Sequence, residues 1–235
     1  MDMSEREIEL VLRPGVRLGG NLAVPHGARG AVLFAHGSGS SRFSRRNRLV
    51  AQTLQQGGFA TLLMDLLTPH EEEAERFTRH LRFDIELLAD RLAGAVEWLS
   101  HDEETRGLPV GLFGASTGAA AALVTAARES DRVSAVVSRG GRPDLAGELL
   151  IEVRAPTLLI VGGADDVVLD LNRQALAMLR AEKQLEIVPG ATHLFEEPGT
   201  LEEVARLARE WFLVHLGQPA AGVRPTRSPE PEAGL

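Results

Sequence analysis

The sequence predicts an α/β fold: one mostly parallel, eight-stranded sheet with helices on both faces, in a single domain spanning residues 1–216. Three observations predict it. Short, continuous apolar runs next to glycine or proline, such as Ala31–Ala35, Phe59–Met64 and Thr157–Val161, have the signature of strands buried on both faces. These runs alternate with stretches of helical spacing, and strands that alternate with helices pair in parallel through crossovers. The chain has 235 residues, 44% hydrophobic and 25% charged, which suits one core of this class.

The elements follow in order. Ile8–Leu12 and Val16–Val24, joined around Pro14-Gly15, predict an N-terminal hairpin. Ala31–Ala35 is a buried strand, and Ser44–Gln56 carries Leu49, Val50 and Leu54 at helical spacing. Phe59–Met64 is the next strand. From Phe83 to Trp98, with Ile85, Leu88, Leu92, Val96 and Leu99 recurring on one apolar face, the spacing predicts a long helix. Val110–Phe113, Val133–Val137, Thr157–Val161 and Leu185–Val188 complete the strands, with helices over Ala119–Ala127 and Leu169–Leu179. Thr200-Leu201-Glu202-Glu203 reads as a capping box opening the last helix, with Thr200 as its N-cap. Residues 217–235, rich in Pro, Ala, Gly, Arg and Glu, bury too little apolar surface to offset ordering entropy and are expected to be a mobile tail.

Composition narrows the function. A formal charge of -8 argues against a nucleic-acid partner, which needs a concentrated positive patch. The local run Arg42, Arg45, Arg46, Arg48 reads as the solvated face of a helix. There is no cysteine, hence no thiol nucleophile and no thiolate metal site. The histidines show no metal-ligand spacing. The polar segment Met1–Arg6 is no secretory signal, and no apolar run approaches the roughly 18 residues that span a bilayer. The expectation is a cytoplasmic protein without a membrane partner. Whether it is a monomer or a homodimer is left open.

The chemistry gathers at strand ends, where sheets of this kind bind ligands. Val110–Phe113 runs into Gly114-Ala115-Ser116-Thr117-Gly118 and then a helix of small residues. This is G-x-S-x-G in the strand–turn–helix context that presents a serine nucleophile above the sheet. An acid and then a histidine should follow later strands. Thr157–Val161 leads into Asp165 and Asp166, and Leu185–Val188 leads into His193. Histidine is suited to moving protons near neutrality, and a carboxylate fixes its tautomer. Asp165 and Asp166 both remain candidates for that carboxylate, with Asp144 a more distant one. The strand Ala31–Ala35 ends in His36-Gly37-Ser38-Gly39-Ser40-Ser41; the N–H groups of Ser38 and Thr117 are the expected oxyanion hole. His36 is expected to brace this loop. Gly39, Arg139 and Arg142 are candidate substrate contacts, a guanidinium being suited to hold a carboxylate. The plainer reading of the two arginines is surface exposure or an Arg142–Asp144 ion pair. Leu66–Arg82 is placed to overhang the site.

The segments Ala35–Ser41, Phe113–Gly118, Leu158–Val168 and Pro189–Phe195 resemble the dienelactone-hydrolase-like branch of the α/β-hydrolase superfamily, over nearly the whole chain to Leu216. The superfamily's Gly-x-x-Asp-x-x-Val matches Gly162 through Val168 and selects Asp165 as the acid. The resemblance implies hydrolysis of an ester, lactone or related acyl bond through Ser116, His193 and Asp165, with no cofactor. The namesake enzymes carry cysteine where this chain has Ser116, which points to a general carboxylesterase acting on a small-molecule ester. Only Ser138–Ala155 separates the sixth and seventh strands, too short for a cap domain, so the site should be open. The rival readings are acyl transfer or C–C hydrolysis by the same three residues, and a non-catalytic binding protein on this fold.

Overall fold

The structure, a computed structural model, describes residues 3–12, 15–78 and 80–216. The expected tail lies outside the described residues, as does Pro14. The strands are β1 (Met3–Leu12), β2 (Val16–Pro25), β3 (Ala31–Ala35), β4 (Ala60–Met64), β5 (Val110–Ala115), β6 (Val133–Arg139), β7 (Thr157–Gly162) and β8 (Lys183–Val188). The helices are α1 (Arg45–Gln56), α2 (Pro69–Thr78), α3 (Ile85–His101), α4 (Thr117–Arg128), α5 (Asp166–Met178) and α6 (Thr200–His215). One sheet holds all eight strands in the order β1-β2-β4-β3-β5-β6-β7-β8. The β1–β2 hairpin and the β2–β4 pair are antiparallel, and every other pairing is parallel.

Alternate residues of the central strands feed two separate cores. In β3, Leu33 packs into one with α3 and α4, while Val32 and Phe34 pack into the other with α1 and α6. Both faces are therefore apolar, which explains why these strands read as continuous hydrophobic runs rather than alternating ones. All of α4 but its last two residues is buried, half of that run alanine, and its small side chains let it lie close against the sheet.

Two local expectations are corrected. Thr200 is the first residue of α6, not its cap: the N-cap is Gly199 at φ +83°, and Thr200 turns its hydroxyl back to donate to the Glu197 carbonyl at 2.7 Å. Glu203, its supposed partner, instead receives Arg206 one turn on at 2.7 Å. The overhanging segment Leu66–Arg82 is partly helical. It contains α2, followed by a 3-10 turn over Leu81–Phe83. The arginine run is not uniformly solvated either. Arg42 is enclosed between Asp65 and Glu7, and Arg46 is half-buried, while Arg45 and Arg48 are exposed. Between β6 and β7 the chain makes short 3-10 turns over Pro143–Glu152, kinked at Gly147, and carries no cap domain.

The register positions the site. Ala35 pairs with Gly114, Ala115 with Arg139, Arg139 with Ile160, and Gly162 with Val188. The loops that begin at residues 36, 116, 140, 163 and 189 therefore emerge along one edge, at the carboxyl ends of the parallel strands. The strand order turns back on itself at β3 and β5, where a crevice forms.

Candidate active site

β5 ends in a sharp turn whose apex is Ser116, at φ 51° and ψ −121°. A positive φ on a non-glycine residue is strained and persists where surrounding structure enforces it. Both flanking glycines are sterically required. A Cβ on Gly114 would lie 2.4 Å from the Ala119 Cα, and one on Gly118 would lie 2.3 Å from the Ala35 carbonyl oxygen. Backbone bonds hold the apex: the Ser116 N–H donates to the Arg139 carbonyl at 3.3 Å, and its own carbonyl accepts from Arg142 and Ala119, each at 3.1 Å. Thr117 then opens α4, with no carbonyl four residues back inside the helix to take its N–H.

The loops after β7 and β8 are stapled together by Ala164 N–H to the Ala191 carbonyl at 2.9 Å. That staple brings Asp165 Oδ2 within 2.7 Å of His193 Nδ1. Asp166, one residue on, is exposed in the first turn of α5. Asp144 is committed elsewhere, in a bidentate pair with Arg142 at 2.7 and 2.8 Å. So the surface ion pair is the environment Arg142 occupies. Two features of the His193 loop were not read from sequence. Phe195 sits buried at φ 55°, and Glu197 accepts from both the Thr192 hydroxyl and its N–H, which hold the Glu197 carboxyl below the usual range. No sequence signal marks either, since both depend on a loop folding back on itself.

Ser116 and His193 share the wall of one cavity of about 250 Å³. Among the described residues, no hydrogen bond joins the Ser116 hydroxyl to the ring; such bonds often close only once substrate is bound. His36 braces its loop. Leu66 N–H donates to its Nε2 at 3.3 Å, so Nδ1 carries the proton and donates to the Gly37 carbonyl at 3.0 Å, and burial lowers the ring's pKa. Ser38 lines the cavity, but its N–H donates to Thr117 Oγ1 at 3.0 Å rather than standing free. Gly39 lies outside this cavity. It borders a larger neighbouring one of about 1180 Å³, walled by Arg42, Asp65, Glu72 and Arg82. Glu72 brings α2 beside the loop that follows β3.

Arg139 departs from the surface reading. It is only 8% exposed, lines the cavity beside Ser116, and lies with its guanidinium 5.9 Å from the Phe195 ring centroid. Burial first, and Arg46 second, lower its pKa to about 10. Arg46 and the buried Asn47 also line this cavity, and sequence reading singled out neither for the site. Their signal was the Ser44 N-cap, whose hydroxyl accepts from Asn47 N–H at 3.3 Å and so aims the first turn of α1 at the strand ends.

Comparison with known proteins agrees with this architecture. Residues 18–214 match the family model described as the dienelactone hydrolase family. A dienelactone hydrolase of Anabaena variabilis is 59% identical, covers 92% of this chain and 100% of its own, and superposes with a TM-score of 0.90. An esterase of Pyrococcus furiosus shares the fold at a TM-score of 0.74 and 17% identity, over 92% of this chain and 94% of its own. A Mycobacterium tuberculosis protein, provisionally named a phosphoribosyl transferase, is 59% identical over 217 residues, which are 92% of this chain and 48% of that protein. The chain thus spans about half the length of these curated relatives. No described helix is long and apolar enough to cross a membrane. The family model's match over residues 18–214, which takes in the parallel strands and the loops at their carboxyl edge, together with the Anabaena likeness, places the fold: the chain belongs to the dienelactone hydrolase family, with the α/β-hydrolase architecture.

Proposed function

We propose that the protein is a carboxylic-ester hydrolase working through an acyl-enzyme, with Ser116 as nucleophile, His193 as base and Asp165 as the carboxylate that orients the ring. The observation that carries this reading is the 2.7 Å contact between Asp165 and His193, whose ring lines one cavity with a serine at positive φ. Asp165 at Nδ1 leaves Nε2 as the position that takes the proton from Ser116 as its oxygen attacks the substrate carbonyl. His193 then returns that proton to the leaving alcohol. Water, activated by the same ring, releases the acid.

The tetrahedral oxyanion rests on backbone N–H groups of Thr117 and Ser38. For Ser38 this requires its N–H to exchange the Thr117 hydroxyl for the substrate oxygen. The cavity's size favours small acyl groups, whether in esters, lactones or thioesters. We assign no phosphoribosyl transfer to this chain, because it spans only 48% of the Mycobacterium relative and the residues it shares with that protein are ones that here match the dienelactone hydrolase family model.

The test is Ser116→Ala assayed on a short p-nitrophenyl ester. We expect a loss of roughly 10³-fold or more, together with loss of rapid labelling by a fluorophosphonate. An active, still-labelled Ser116→Ala protein would refute the assignment. Products formed in the presence of alcohols, amines or diketones separate hydrolysis from acyl transfer and C–C cleavage.

A further inference from the structure

α5 carries two polar residues on one face, seven positions apart. Asp165 caps the helix and meets His193; Asn172 lies two turns further on, so the helical period points both toward the same side. Asn172 is fully buried. Its Nδ2 donates to the Gly141 carbonyl at 3.0 Å and to the Val168 carbonyl of its own helix at 2.8 Å, while Oδ1 is buried with no partner.

A buried amide with one end unsatisfied costs stability, and an apolar side chain of similar volume would fill that position at less cost. The amide is therefore to be explained by what it holds. Gly141 belongs to the loop that leaves β6, and this loop touches both Ser116 and His193. The Arg139 carbonyl accepts from the Ser116 N–H at 3.3 Å, and the Arg142 N–H donates to the Ser116 carbonyl at 3.1 Å. Gly140, at φ +49°, passes so close to His193 that a Cβ there would lie 3.6 Å from the ring Nδ1. The loop has little slack, since a Cβ on Gly141 would lie 2.0 Å from Ser138 Oγ and 2.6 Å from the Ala119 Cβ. Among the described residues, Asn172 is the one side chain that hydrogen-bonds the backbone of residues 139–142.

We propose that Asn172 is a positioning residue for ester hydrolysis. It clamps the loop after β6 to the helix that carries Asp165, and so holds the strained turn of Ser116, the His193 ring and the Asp165 carboxylate in one register. This rests on the ester-hydrolase reading and adds to it a residue that does not line the cavity. Releasing the Gly141 carbonyl from α5 frees both backbone bonds to Ser116 to shift together, and a misplacement of about 1 Å at the reacting atoms costs on the order of 10²-fold in rate.

Asn172→Ser isolates the clamp. A serine hydroxyl donates readily to the carbonyl four residues back, here that of Val168, but is too short to reach Gly141. Asn172→Leu removes both bonds and keeps the volume. Leu179→Ala is the control, because Leu179 is buried at the far end of the same helix, away from the loop. On a short p-nitrophenyl ester, both Asn172 variants should lose roughly 10- to 100-fold in kcat with KM little changed. Leu179→Ala should lower the urea midpoint and keep the native kcat.

Amide hydrogen exchange at Ser116 and Arg142 reads the clamp without turnover. Exchange there should quicken by about tenfold or more in both Asn172 variants and stay native in Leu179→Ala. If Ser116→Ala proves active, the hydrolase reading fails and these exchange rates alone judge the clamp. With Ser116 as nucleophile, native exchange in Asn172→Ser, or a loosened loop with kcat unchanged, overturns the proposal. So does a Leu179→Ala protein that loses kcat as steeply as the Asn172 variants, since that would mark a merely structural role.

Discussion

At the scale of single residues, two adjacent aspartates differ in everything but their chemistry. Asp165 sits at the N-cap of α5, where φ −107° and ψ 66° turn its side chain away from the helix and onto His193. Asp166 is already in the helix, one hundred degrees further round, and faces solvent. Asp165→Asn should therefore cost ester hydrolysis on the order of 10⁴-fold, because an amide stabilises the wrong tautomer and no imidazolium. Asp166→Asn should leave kcat/KM near the native value. Steady-state assays of the two variants side by side check this, and equal losses would reverse the assignment.

At the scale of an element, the segment containing α2 is closed by one carboxylate. Glu75 is fully enclosed and accepts from Thr78 Oγ1, from the N–H groups of His80, Leu81 and Arg82, and from Arg82 Nε, at 2.8 to 3.2 Å. Burial opposes its ionisation, but the Arg82 guanidinium and these donors prevail and lower its pKa to about 2 from an ordinary 4.5. A depressed carboxylate pKa stabilises the fold above the unfolded-state value and ceases to do so as pH falls through the folded one. The contribution should be complete above about pH 5 and fade toward pH 2. Glu75→Gln should thus be less stable than the native protein near pH 6, with the gap narrowing steadily on acidification. Urea denaturation across that range measures it; a gap independent of pH would remove Glu75 from this role. Because Arg82 and Glu72 wall the space beside the oxyanion loop, the same variant should also loosen the overhang above the site.

At the scale of the whole molecule, the sheet separates two cores and α6 seals one of them. Phe212 is fully buried there, edge-on to Phe59 with centroids 6.3 Å apart, and its ring fills the space over Gly111. Truncating it removes apolar burial and leaves a cavity that a rigid sheet cannot collapse to fill. Phe212→Ala should cost about 3–5 kcal/mol, measured as a shift of the denaturation midpoint. A cost much below that range would mean that α6 contributes little to holding the two-faced sheet together.

Much of this was legible in the chain itself. Strands buried on both faces announce themselves as continuous apolar runs, and a long helix announces itself by its period; from those patterns alone β3 was placed at its observed bounds and α3 within three residues at each end. Ser116 was legible because a turn this tight admits little but glycine at its flanks, so the local geometry leaves a sequence trace. His193 was legible by its order after the last strand. The α6 cap misled, because the sequence cannot show that Gly199 already takes the left-handed turn and leaves Thr200 inside the helix.

What the sequence determined by itself is therefore what local physics encodes: the alternation of elements, the two-faced sheet, and the residues at its strand ends. What only the tertiary structure decided is which of those residues meet. Arg139 and Arg142 are near neighbours of like chemistry, yet one pairs with Asp144 and the other is buried and unpaired beside Ser116. Arg46 comes from a helix some ninety residues earlier to share that wall. Pairing and burial are properties of contacts between distant segments, fixed by strand register and loop closure, and no pattern along the chain carries them.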